Sequence, residues 1–144
     1  AVETAQSYDG ILALHEYSAP DMWSGVGSGV PGLSLGSDYG SLTLRYRIWY
    51  DNYLRPAGLV IPLAITEAGI DGGVLAEDLS FGGWKDAMTD YQYLEQLSWY
   101  DDELRRDPYV LGMAVFNAGD DSGDWESFDV TDLLSDLANI TESK

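Results

Sequence analysis

The chain contains three uninterrupted apolar runs of strand length, each bounded by turn-forming residues: Gly10–Leu14, Leu59–Ile65 and Tyr109–Phe116. A strand that is covered on both faces has this unbroken pattern, whereas a half-exposed strand alternates apolar and polar residues. Helical spacing of apolar residues fills the intervals and the end of the chain, in three stretches: Ser41–Leu54, Trp84–Arg106 and roughly Thr131–Ile140. Because strands alternate with helices, the pattern predicts an α/β fold with a parallel sheet and right-handed crossovers.

The connections differ in length on the two sides of the predicted sheet. Segments that lead into strands are short, such as Asp107-Pro108, whereas segments that leave strands are long, covering roughly residues 16–40, 68–83 and 117–130. The long segments are rich in Gly, Asp and Trp. Because α/β proteins concentrate functional loops at the carboxyl ends of their strands, we expect the site at this edge of the sheet.

The charge of the chain limits its partners. The 25 acidic residues outnumber 7 basic ones, for a net charge of −18. Nucleic acids and anionic membrane surfaces need patches of Lys and Arg, so we expect neither as a partner. An acidic chain with only two lysines suits an extracellular, secreted protein better than a cytoplasmic one. Its length of 144 residues suits a single domain spanning residues 1–144.

Cofactor and metal motifs are weak or missing in the sequence. There is no cysteine, which excludes disulfides and thiolate metal sites. No dinucleotide, phosphate-loop or zinc-protease motif is present. The acidic loop Asp120–Asp124 resembles a calcium loop in composition but lacks the spacing of an EF-hand. We therefore predict neither a cofactor nor a metal.

Polar side chains follow each apolar run, in three groups: His15, Glu16 and Tyr17, then Glu67, then Asn117. The carboxyl ends of parallel strands meet at one edge of a sheet, so these residues are expected to be neighbours. Three tryptophans of the long segments are expected to surround them: Trp23, Trp84 and Trp125. Aromatic faces stack on sugar rings, and carboxylates cleave glycosidic bonds, so the combination indicates a carbohydrate site.

Glu67 stands apart from the other candidates because it ends a continuous apolar run and precedes Ala68-Gly69. The others have structural alternatives. His15 is compatible with an ordinary satisfied polar group, and Glu16 with a solvated charge or a buried partner of an arginine. Asn117 is compatible with the start of an Asn-Ala-Gly turn, and Trp125 with a core position.

The strand ends, taken together, resemble a known enzyme family. The matching segments are Leu14-His15-Glu16-Tyr17, Ile65-Thr66-Glu67-Ala68-Gly69 and Phe116-Asn117-Ala118-Gly119, with Trp125 and Phe128 downstream. They resemble the last three βα units of a glycoside hydrolase of the large retaining clan built on the (β/α)8 barrel. The resemblance implies that Glu67 is the nucleophile. It also implies that His15 and Tyr17 shape the sugar subsite and that Trp125 supplies an aromatic platform.

The chain departs from that family in two ways. The general acid/base of the clan is a Glu that usually follows Asn, and no Asn-Glu pair occurs in this sequence. A whole barrel needs about 250 residues, and only three strands are predicted. We therefore expect the C-terminal part of a barrel, whose N-terminal half comes from a separate chain or a missing segment. The alternatives are a non-catalytic carbohydrate-binding or self-assembling barrel relic and, with too few strands, a flavodoxin-like domain.

Overall fold

The computed structural model describes residues 1–27, 37–74 and 82–142. At its centre lies a three-stranded parallel sheet in the order β1-β2-β3, formed by Leu12–Ser18, Leu63–Ile70 and Val110–Val115. The prediction of an α/β fold with a parallel sheet is confirmed. Parts of two predicted long loops, 28–36 and 75–81, lie outside the described residues.

The described residues form four α-helices: α1 (Val2–Ser7), α2 (Tyr46–Trp49), α3 (Asp90–Arg105) and α4 (Leu134–Glu142). A π-helical turn over Tyr50–Leu54 continues α2. Single 3₁₀ turns occur at four further places: Gly72–Val74, Trp84–Asp86, Glu126–Phe128 and Thr131–Leu133. The helices follow the strands in sequence as the periodicity predicts, so each crossover is a βα unit.

Strands β1 and β2 extend beyond the apolar runs that predict them. The first run ends at Leu14 but β1 continues to Ser18, and β2 continues to Ile70. The reason is that ladder hydrogen bonds join backbone groups and do not depend on the polarity of the side chains. The predicted site residues of these two segments therefore lie inside strands and inherit the alternation of the sheet.

Helices α2 and α3 begin later than the periodicity predicts. Leu44 has a φ of 59°, which is a left-handed conformation that no helix interior accommodates, so α2 begins only at Tyr46. Thr89 caps α3 with an extended backbone and forms a capping box with Gln92. The segment before Thr89 consequently forms a separate turn.

A buried arginine joins α2 to the end of α3. Arg47 is 5% exposed, and its guanidinium lies 2.9 Å from Glu103 and 2.6 Å from Asp107. It also donates to the carbonyl oxygens of Asp38 and Glu103. Such charge-assisted bonds fix the planar guanidinium in one orientation, so the network sets how α2 packs beside α3.

One face of the sheet is packed and the other is open. On β1, Glu16 and Ser18 are fully buried, whereas Ala13 and His15 on the opposite face are exposed. On β3, Leu111 is 64% exposed. The unbroken apolar runs predict cover on both faces, but the described chain covers one. The second face of β1 is therefore uncovered within the described residues.

Close packing of two turns supports the loop that follows β3. A Cβ at Gly83 would lie 2.4 Å from the carbonyl oxygen of Ser127. This oxygen belongs to the backbone, so it can move away only if the turn around Ser127 moves with it. We expect Gly83→Ala to lower the free energy of unfolding by about 2 kcal/mol in urea denaturation, because overpacking forces the backbone apart. Gly82→Ala is the matched control, since its Cβ would meet side-chain atoms and no backbone. The nearest is the rotatable hydroxyl of Ser127, at 3.0 Å. Equal losses in the two variants would contradict this packing.

Candidate active site

Glu67 projects from β2 at an irregularity of the sheet. Leu14 pairs with Ile65, but the next residue, His15, pairs with Glu67, so Thr66 is an extra residue in β2. A bulge of this kind re-aims the side chain that follows it. The result is that Glu67 lies directly beside His15 on the open face, and its side chain is 36% exposed.

Two side chains of β1 contact the same carboxylate oxygen. Glu67 Oε2 lies 3.1 Å from Nδ1 of His15 and accepts a 2.7 Å hydrogen bond from the hydroxyl of Tyr17. Alternation along β1 places both residues on one face, which is why they reach Glu67 together. No hydrogen bond to Glu67 Oε1 occurs within the described residues. The sequence prediction that these three residues are neighbours is confirmed.

Burial and the neighbouring Glu67 raise the pKa of the Tyr17 hydroxyl well above its usual value. The phenol therefore keeps its proton at physiological pH, where it donates a hydrogen bond to Glu67. A donor bonded to one carboxylate oxygen fixes the orientation of the carboxyl plane. Tyr17 thus orients Glu67 without adding a charge.

A line of aromatic rings extends from Tyr17 to the surface. Tyr17 meets Phe116 edge-on at a centroid distance of 6.2 Å, and Phe116 meets Trp125 edge-on at 5.4 Å. Trp125 is 48% exposed. About half of its surface is therefore accessible from solvent. Sequence reasoning did not assign Phe116 a role, although its position at the end of the third apolar run marks it.

The carboxylates of Asp120 and Asp129 hold the loop that carries Trp125 through hydrogen bonds. Asp120 accepts hydrogen bonds from the hydroxyl of Ser122 and from the backbone of Trp125 and Ser122, and these bonds lower the pKa of Asp120. Asp129 accepts from the hydroxyl and backbone of Thr131 and from the backbone of Gly119, and these bonds lower the pKa of Asp129 to about 2. The loop that resembles a calcium site in composition is thus organised by hydrogen bonds. Within the described residues, no group of three or more His, Asp or Glu side chains could hold a metal ion.

Asn117 forms a turn at the end of β3. Its side-chain amide donates to the carbonyl oxygen of Gly119, and its backbone bonds Phe128 and Val130. The peptide bond between Phe116 and Asn117 is cis. The described contacts of Asn117 thus match the turn that was the structural alternative for it, and none of them is to Glu67.

Glu16 lies under the sheet, away from the open face. It is fully buried, and its carboxylate accepts bonds from the backbone of Leu44 and Tyr46 and from the hydroxyl of Tyr100, while Arg45 lies at 3.9 Å. Burial raises the pKa of Glu16, an effect that these donors only partly offset. The expectation that Glu16 binds substrate therefore needs correction. Alternation along β1 directs its side chain to the face opposite His15 and Tyr17.

Two of the three tryptophans also lie apart from Glu67. Trp84 is 2% exposed, stacks on Tyr93 at 4.6 Å and donates to the carbonyl oxygen of Phe128, so it is a core residue. Trp23 is 40% exposed, but its ring packs edge-on against Trp99 of α3, on the helix side of the sheet. Of the tryptophans predicted to line the site, Trp125 alone joins the aromatic line.

No family model, curated protein or solved structure matches the chain. Across residues 1–27, 37–74 and 82–142, no helix has both the length and the apolar character that crossing a membrane requires.

Proposed function

We propose that this chain belongs to a retaining glycoside hydrolase that acts on a β-linked oligo- or polysaccharide, with Glu67 as the nucleophile. The observation that carries the proposal is the arrangement around Glu67. A partly exposed carboxylate has one oxygen held by Tyr17 and His15, and the other has no described partner. A nucleophilic carboxylate needs this combination of fixed orientation and an accessible oxygen.

A neutral sugar also suits the surroundings of Glu67. The aromatic line from Tyr17 to Trp125 provides apolar faces for sugar rings. The net charge of −18 disfavours anionic ligands. An acidic surface with few lysines also fits our expectation of secretion.

We further propose that the three βα units are the last part of a (β/α)8 barrel. The open face of the sheet supports this proposal, since Ala13 and His15 of β1 are exposed there. In a closed barrel such residues fill the interior. Both β1 and β3 are edge strands of the described sheet and would pair with the remaining strands.

The proposed mechanism divides between this chain and its partner segment. Glu67 attacks the anomeric carbon, the bond to the leaving oxygen breaks, and a glycosyl ester forms on Glu67. A carboxylic acid of the N-terminal barrel half protonates the leaving oxygen and then activates the water that hydrolyses the ester. Retention requires the two carboxyl groups about 5–5.5 Å apart.

Covalent labelling tests the nucleophile in this chain without its partner. A dinitrophenyl β-glycoside with fluorine beside the anomeric carbon has a leaving group that needs no proton, and its glycosyl ester hydrolyses slowly. We expect a panel of such gluco-, manno- and xylosides to yield one member that adds a single sugar to the peptide containing Glu67, detected by mass spectrometry.

Labelling of any other residue would contradict the assignment of Glu67. Absence of labelling with all three sugars would contradict the enzymatic role in this chain. If oligosaccharides still bound under those conditions, the non-catalytic carbohydrate-binding alternative would be favoured instead.

A further inference from the structure

Buried polar atoms without a hydrogen-bond partner gather at one end of the sheet. Within the described residues there are three such side-chain atoms: Ser18 Oγ, Tyr93 Oη and Asn117 Oδ1. Ser18 ends β1, and Asn117 follows Phe116 just beyond β3. Such atoms are unfavourable for folding and are rare in native proteins, so each needs an explanation. All three lie near the carboxyl end of the sheet, where Glu67 also lies.

Tyr93 is the largest of these three side chains and is held firmly in place. It projects from α3, is 0% exposed, and stacks on Trp84 with an interplanar angle of 7°. Burial raises the pKa of its hydroxyl, so the side chain stays neutral at physiological pH. Packing thus accounts for the position of the ring, whereas no hydrogen bond within the described residues accounts for the burial of the hydroxyl.

The hydroxyl of Tyr93 lies against the backbone that carries Glu67. A Cβ at Gly69 would be 3.0 Å from this hydroxyl, 3.6 Å from the carbonyl oxygen of Phe116 and 3.8 Å from Cε1 of Tyr17. Gly69 follows Glu67 by two residues, so it lies on the same face of β2. Because Gly69 has no Cβ, the Tyr93 hydroxyl can pack directly against this strand end, and the ring of Tyr17 lies beside the same glycine.

We propose that Tyr93 is a positioning residue for Glu67, because the Tyr93 hydroxyl packs against the end of β2 at Gly69 and holds it in place. The inference rests on the proposed role of Glu67 as nucleophile. Without the hydroxyl, a space the size of one oxygen atom would open beside Gly69, and the strand end that carries Glu67 would relax into it. Displacement of a reacting group by a fraction of an ångström slows attack strongly.

Tyr93→Phe tests the inference because it keeps the ring stacked on Trp84 and removes only the hydroxyl. With the fluoroglycoside that labels Glu67, we expect the labelling rate at saturation to fall roughly tenfold. The concentration for half-saturation should stay the same, since Tyr93 does not touch the ligand. The midpoint of thermal unfolding should be no lower than in the wild type, since the lost hydroxyl has no partner in the described chain. Tyr91→Phe, at a 75% exposed position on the same helix, is the matched control.

The labelling rates and unfolding midpoints separate a failure of the positioning role of Tyr93 from a failure of the proposed role of Glu67. Wild-type labelling together with an unchanged saturating rate in Tyr93→Phe would overturn the positioning role and leave Glu67 as nucleophile. A wild type that is not labelled would overturn the proposed function and this inference with it. A clear fall in the unfolding midpoint of Tyr93→Phe would show that the hydroxyl stabilises the fold, and this too would overturn the inference.

A second variant tests the same contact from the strand. Gly69→Ala places a methyl group 3.0 Å from the Tyr93 hydroxyl and should slow labelling on its own. Combined with Tyr93→Phe, the methyl group gains the space left by the hydroxyl. We expect the double variant to be labelled faster than the product of the two single rate reductions predicts. Rate reductions that simply multiply would contradict a direct contact.

Discussion

Glu67→Gln is expected to reduce hydrolysis of a dinitrophenyl glycoside by the assembled enzyme at least about 1,000-fold, because the amide cannot form the glycosyl ester. The substitution keeps the size of the side chain and leaves an oxygen that accepts from Tyr17. Since Glu67 is partly exposed, the fold should remain intact. Turnover is measured at saturating substrate, and circular dichroism checks the fold.

Two further variants make this expectation specific. Glu3→Gln removes an exposed carboxylate of α1, which precedes the start of β1, and should leave turnover unchanged. Glu67→Ala should regain activity when azide is added, because a small anion can enter the space of the carboxylate and attack the anomeric carbon. The product would be a glycosyl azide of the opposite configuration to the substrate. Turnover that persists in Glu67→Gln would remove this residue from the mechanism.

The sequence predicts the sheet and the meeting of His15, Tyr17 and Glu67 because both depend on patterns within single strands. Apolar runs mark the strands, and parallel pairing brings their carboxyl ends together. The bulge at Thr66 could not be predicted from the sequence, since no pattern in β2 marks the extra residue. It nevertheless sets the register that places Glu67 beside His15.

The residues that were misplaced by sequence reasoning are those fixed by contacts between distant segments. Glu16 is bound by Leu44, 28 positions away, and by Tyr100, 84 positions away. Trp84 reaches Phe128 across 44 positions. A tryptophan in a loop and a glutamate at a strand end have the same local pattern whether they line a groove or lie in the core. Burial decides between these cases, and it depends on the whole fold.

Glu16→Ala is expected to lower the free energy of unfolding by about 3 kcal/mol, since it leaves the backbone of Leu44, the backbone of Tyr46 and the hydroxyl of Tyr100 without their acceptor in a buried place. The measurement is urea denaturation at constant pH. The backbone N–H of Leu44, a residue with a φ of 59°, donates to this carboxylate, so we expect the start of α2 to become less ordered as well.

The control for this prediction is Glu95→Gln, an exposed carboxylate on α3, which should change the unfolding free energy by less than about 0.5 kcal/mol. An equally small effect of Glu16→Ala would contradict a structural role for the buried carboxylate. If Glu16→Ala remained folded but Glu67 was no longer labelled, the result would support a role of Glu16 in the site.

The pH dependence of Glu16→Gln separates the ionisation of this group from its hydrogen bonds. Burial raises the folded pKa of Glu16 above its ordinary value of 4.5. For a carboxyl group with a raised folded pKa, the stabilisation is fully present below the unfolded pKa and is lost as the pH rises through the folded pKa. Glutamine does not titrate, so the difference in unfolding free energy between wild type and Glu16→Gln should be largest near pH 4 and should shrink as the pH rises. A difference that grows with pH would mean that the donors of Leu44, Tyr46 and Tyr100 outweigh burial and that the folded pKa is lowered instead.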